Sequence, residues 1–114
     1  MNEPLKGTMK KIDLRPYRLE SGAEYDIKGS FRELLFHPKQ ELTVPESFEN
    51  AELFTKMKAA GEFVLVDSGE YRRIMRAYNA MTAPGPDDLE FFARIRDAVE
   101  VPVEEVPDKD KAPG

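Results

Sequence analysis

The stretch Glu62–Met81, EFVLVDSGEYRRIMRAYNAM, constrains the fold of this chain more than any other part of it. Phe63 to Val66 is an unbroken apolar run, too short for a helix and rich in β-branched valine, which predicts a strand covered on both faces. Asp67 and Glu70 then have the spacing of a capping box, in which the first side chain accepts from the backbone and the second reaches back. Tyr71, Ile74, Met75 and Tyr78 follow at i, i+3, i+4 and i+7, one face of an amphipathic helix. Arg72, Arg73 and Arg76 lie on the other side of that helix. A strand buried on both faces needs partners and cover, and the rest of the chain supplies candidates for both.

Upstream, residues 1–8 show no periodicity and predict a flexible arm. Ile12 and Leu14 alternate with charged residues, as in a half-buried strand, and Pro16 suggests a bulge before Tyr17 and Leu19. Ser21-Gly22 is a turn signal, and Tyr25 and Ile27 fall at strand spacing beyond it, so an N-terminal hairpin is expected. Gly29 reads as a break, with Ser30 and Glu33 capping a short helix through Phe31, Leu34 and Leu35 that ends before Pro38. Thr43 and Glu46 repeat the cap spacing for a longer helix whose stripe is Phe48, Ala51, Phe54 and Met57, widened by Leu53. Glu52 and Lys56 are placed to form an i,i+4 pair, and Gly61 sits where a helix-ending glycine belongs.

Downstream, Thr82 to Pro86 breaks the chain, and Pro86, Asp87 and Asp88 open a last helix. Leu89, Phe92, Ile95 and Val99 form its inner face, joined by Phe91 and Ala98. Val99, Val101 and Val103 alternate with Glu100, Pro102 and Glu104, a final strand with the chemistry of a sheet edge. Residues 106–114 are charged and predict a disordered tail. The expected architecture is one α+β domain over 9–105, a small antiparallel or mixed sheet of N-terminal hairpin, central strand and C-terminal strand packed against about four helices.

Composition narrows the function. The chain has 114 residues and no cysteine, which excludes disulfides and thiolate metal sites. Its net charge of −5 disfavours nucleic-acid binding by the surface as a whole. It has no apolar run near the ~18 residues a membrane span needs and no apolar core of a signal peptide, so no membrane partner is expected. His37 is the only histidine, which excludes a multi-histidine metal site. The acids Glu33, Glu46, Asp67, Glu70, Asp87 and Asp88 stand at helix starts, where caps explain them. The glycines lack the Lys-Ser/Thr of a phosphate loop. No catalytic, metal or cofactor residues are therefore assigned, and the expectation is a non-enzyme.

The candidate partner-binding residues are Arg72, Arg73, Arg76 and Phe91. The arginines can cover one helical surface with guanidinium groups suited to carboxylates or phosphates. A solvated face opposite the core stripe also accounts for them. Phe91 and Phe92 are adjacent and cannot face one core together, which makes Phe91 a candidate contact for homo-oligomerisation.

The segments KIDLRPYRL, YDIKGSFRELLFHP, VLVDSGEYRRIMRAY and DDLEFFARIRDAVEVPVEEV, spanning residues 10 to 105, are together similar to small proteins encoded by tailed phages and prophages. The Phe36-His37-Pro38 turn and the Leu89–Val103 segment carry most of the likeness. The resemblance implies a virion structural or assembly accessory subunit, with other protein subunits as partners, located in the host cytoplasm or in the virion. The alternative is a small regulator that reads nucleic acid or an acidic partner through the arginine-bearing helix.

Overall fold

A computed structural model describes residues 8–102; the expected tail over 106–114 lies outside them, as does the expected arm over 1–8 except Thr8, which begins a strand. The fold is α+β: β1 (Thr8–Asp13), β2 (Tyr17–Arg18), β3 (Glu24–Tyr25), α1 (Ile27–Leu35), α2 (Val44–Ala59), β4 (Phe63–Val66), α3 (Ser68–Ala80), α4 (Leu89–Arg96) and β5 (Val99–Pro102). Short 3-10 turns at Pro38–Gln40 and Pro86–Asp88 lead into α2 and α4.

The sheet is antiparallel with the order β4-β1-β5, so β1 is the central strand and β4 an edge. This corrects the expectation for Phe63–Val66. Val64 and Val66 are buried beside Ile12, but Phe63 and Leu65 point to the other face, which no helix covers completely. The apolar run lacks polar alternation because its second face is apolar and open. Lys11 and Arg15 lie over the Phe63 ring, 4.6 and 4.9 Å from its centroid, and shield part of it.

The Ser21-Gly22 turn forms, with Gly22 at φ +96° and Leu19 N–H donating to Ala23 O at 2.8 Å. Its hairpin pairs Tyr17 with Tyr25 in a separate ribbon, however, and does not join the three-stranded sheet. Pro16 ends one strand ahead of the next instead of bulging a continuous one. Ile27 is not a strand residue but the first of α1, which is capped by Asp26 accepting from Gly29 N–H at 3.0 Å, not by Ser30. Gly29 fits inside the helix because a Cβ there would lie 2.4 Å from Asp26 Oδ2.

The other two expected capping boxes are present, Thr43 with Glu46 and Asp67 with Glu70. Gly61 follows α2 without a left-handed φ, since the chain leaves the helix in an extended conformation at Ala60. Lys56 reaches Glu70 at 2.8 Å rather than Glu52, tying α2 to the first turn of α3. The buried stripe of α2 is Asn50, Leu53 and Met57.

One core joins the elements: Ile12, Leu14, Val64 and Val66 meet Ile27, Phe31, Leu34, Leu35, Leu53, Met57, Ile74, Ala77, Phe91 and Ile95. Phe91 is 2% exposed, packing edge-on to Phe31 at 4.9 Å, so it is a core residue and not a contact surface. α4 turns Phe91 inward because Leu89, expected on that inner face, is exposed. Phe92 is half-buried against Tyr78 instead.

Candidate interaction site

The arginines of α3 face α2. The capping box at Asp67 fixes where α3 starts, and the burial of Ile74 and Ala77 turns Arg72, Arg73 and Arg76 toward a cleft of about 300 Å³ between the two helices. Gln40, Leu42, Glu46, Glu49, Asn50 and Gly69 complete its lining. Arg76 Nη1 donates to Glu46 Oε2 at 2.6 Å, and its Nη2 donates to Gln40 O at 3.3 Å. Glu46 Oε1 meanwhile accepts from Thr43 N–H at 2.9 Å. The Arg76 guanidinium, helped by the Thr43 backbone, lowers the Glu46 carboxyl to about 2. Arg73 Nη1 stands 4.0 Å from Glu49, and Arg72 is exposed with no ion pair among the described residues. Two of the three arginines therefore hold α3 to α2.

Gln40 and Asn50, at 6% and 1% exposure, were not singled out from the sequence. Both amide nitrogens donate to the last carbonyls of α1: Gln40 Nε2 to Leu34 O and Leu35 O at 3.0 Å each, Asn50 Nδ2 to Leu35 O at 2.8 Å. They satisfy acceptors that a helix end leaves open. Asn50 has a signal in the sequence: it shares the helical face of Leu53 and Met57, where a polar residue is out of place.

A second cleft of about 230 Å³ brings Ser30, His37 and Asp88 together. His37 Nδ1 accepts from Lys39 N–H at 3.1 Å, capping the 3-10 turn. Asp88 is engaged by Tyr25 O–H at 2.6 Å and by Gly85 N–H at 3.2 Å. Burial and the neighbouring Asp88 carboxylate push the Tyr25 hydroxyl well above its usual range. Tyr25 stacks on Tyr17 at 4.7 Å, and Tyr17 O–H donates to Asp87 O at 2.6 Å. Together the tyrosines clamp the hairpin to the start of α4. Among the described residues no three of His, Asp and Glu converge as a metal site would need.

Two apolar surfaces remain open. On the outer face of the sheet, Lys11 lies between Leu65 and Val99, Met9 lies opposite Val101, and Asp13 opposite Phe63. Val99 is 61% exposed there. On α2, Val44, Phe48, Ala51 and Thr55 share the face away from Leu53 and Met57, and Val44 and Phe48 are 69% and 68% exposed. Phe48 was expected in the core; Asn50 and Leu53 occupy the inward positions and carry it outward.

No helix among the described residues is long and apolar enough to cross a membrane. Comparison with family models, with curated proteins and with solved structures finds no match to this chain.

Proposed function

We propose that this chain is a non-catalytic structural subunit that assembles by placing the open sheet face of one copy against the outer face of α2 on the next. The observation that carries the proposal is that both surfaces are apolar and left open by the packing of the described residues. Each has exposed apolar side chains beside an exposed charge, and the two charges are opposite in sign: Lys11 on the sheet, Glu52 beside Phe48 on the helix. Among the described residues neither charge has an ion pair within the chain. A contact between unlike surfaces is heterologous and builds rings or filaments. The likeness to small tailed-phage proteins supports virion structure or assembly as the setting, in the host cytoplasm or the particle.

The regulator reading, through the arginine helix, is weaker because Arg73 and Arg76 are turned to Glu49 and Glu46.

Mixing two variants tests the assembly. Phe48→Asp spoils the helix surface and Val99→Asp the sheet surface. Light scattering should show concentration-dependent growth for the wild type, monomers for each variant alone, and a capped 1:1 dimer when the two are mixed. A wild type that stays monomeric at millimolar concentration overturns the proposal. So does a mixture that stays monomeric while the wild type assembles, since an intact sheet surface and an intact helix surface are then both present and do not pair.

A further inference from the structure

We propose that the chain's own segment 103–106, which follows β5, docks in the cleft between β1 and α3 and pairs with Arg72. This cleft, of about 320 Å³, has Thr8, Tyr71, Arg72 and Met75 on its lining. Arg72 is exposed and has no ion pair among the described residues, whereas Arg73 and Arg76 are turned to Glu49 and Glu46. Lys10, on the same lining, is already engaged: its ammonium lies over the Tyr71 ring, 5.1 Å from the centroid, and 3.9 Å from Glu100. The cleft therefore offers one unanswered cation beside the half-buried Tyr71 and Met75.

The strand register brings the segment to this cleft. Thr8 lies opposite Pro102, the last residue of β5, so the chain leaves the sheet beside the cleft's own lining. Residues opposite each other in an antiparallel pair share a face, which puts Glu100 and Pro102 on the side of Lys10 and Thr8. That is the side of α3, as the contact of Lys10 with Tyr71 shows. The sequence continues Val103-Glu104-Glu105-Val106. Carried on through these residues, the two-residue period of β5 sends Glu104 and Val106 toward α3 and Glu105 away from it. Glu104 follows Pro102 by two residues, about 7 Å of extended chain. Its carboxylate suits the guanidinium fork of Arg72, and Val106 suits the apolar side chains of Tyr71 and Met75. Docked there, the segment neutralises the one arginine of α3 that α2 leaves unpaired, and it competes with any acidic partner for that surface.

Nuclear magnetic resonance on the full ¹⁵N,¹³C-labelled chain tests this. Cross-peaks between the Val106 methyls and the Tyr71 ring or Met75 methyl should appear, and the Arg72 Nε–Hε signal should move as acid protonates Glu104. Glu104→Gln should weaken those cross-peaks ~2- to 5-fold, the worth of one exposed ion pair. Glu105→Gln removes the same charge and should leave them as they are. Arg72→Glu should weaken them too, and adding Glu104→Arg to it should restore them. Absence of the cross-peaks in the wild type, or equal losses from Glu104→Gln and Glu105→Gln, overturns the proposal. So does a mixture of labelled and unlabelled chains in which the cross-peaks run between molecules, since that assigns the segment to a second copy.

Discussion

Arg76 and Glu46, thirty residues apart in sequence, meet at 2.6 Å and fasten the last turns of α3 to the first turn of α2. The same carboxylate closes the capping box of α2 through its other oxygen, so one side chain both starts a helix and anchors it.

This double role gives an acid signature. The folded-state pKa of Glu46 lies below its ordinary 4.5, at about 2, so its contribution to stability is complete above 4.5 and is lost as pH falls toward 2. Asp13, beside Arg15 and Arg94, shifts the same way. Urea midpoints of wild type and Arg76→Ala should differ at neutral pH and converge between pH 4.5 and 2. A constant gap across that window would mean the pair adds nothing specific. Glu46→Ala should cost more than Arg76→Ala, because it also removes the cap.

Tyr25 gives the opposite signature. Its hydroxyl is held above 10 by burial and by its bond to Asp88, so the folded chain keeps that proton more tightly than the unfolded chain. The stabilisation is whole below pH 10 and fades as pH rises above it. Circular dichroism through alkaline titration should show Tyr25→Phe losing stability more slowly above pH 10 than wild type. At neutral pH the substitution should cost about 1–2 kcal/mol, from the carboxylate oxygen left without its donor.

Phe91 and Phe48 separate core from surface. Phe91→Ala removes a ring in contact with Phe31 and Tyr25 and should destabilise by about 3–5 kcal/mol in denaturant titration. Phe48→Ala should change stability by about 0.5 kcal/mol or less, and show its effect in association instead. Comparable losses at the two positions would contradict their placement.

Gly29 tests the cap of α1. Glycine to alanine in a helix ordinarily stabilises, by about 0.4–1 kcal/mol. Here the new methyl would displace the Asp26 carboxylate from its bond to the Gly29 N–H, and the two effects oppose each other. Gly29→Ala should be close to neutral in the wild type and stabilising in an Asp26→Ala background. Equal effects in both backgrounds, by thermal melting, would rule out the cap.

The helices were legible in the sequence wherever short-range rules decide them. Thr43 with Glu46 and Asp67 with Glu70 are set by spacing alone, and Ile74 falls on the face that its period predicts. What failed depended on partners far along the chain. Phe63 and Leu65 look like core because they are apolar, and nothing local reveals that their face of the sheet is left partly open. Phe48 and Asn50 exchanged places for the same reason: the ends of α1 need donors, and an asparagine facing inward meets that need at the expense of a phenylalanine facing out. The arginine stripe was visible, but its pairing with Glu46 and Glu49 rests on how α2 packs and could not be read from α3.

The position of β1 also sets the order in which the molecule can fold. Thr8 pairs with Pro102 and Ile12 with Val64, so the central strand has no neighbour close to it in sequence. The α1–α2 pair, by contrast, is joined by a short connection and closes a small loop. Helices should thus appear early in refolding, with the sheet arriving in a slower step limited by chain closure. Until β4 and β5 arrive, both edges of β1 are unpaired and able to accept a strand from another molecule. The refolding yield should accordingly fall with protein concentration more steeply than the refolding rate does.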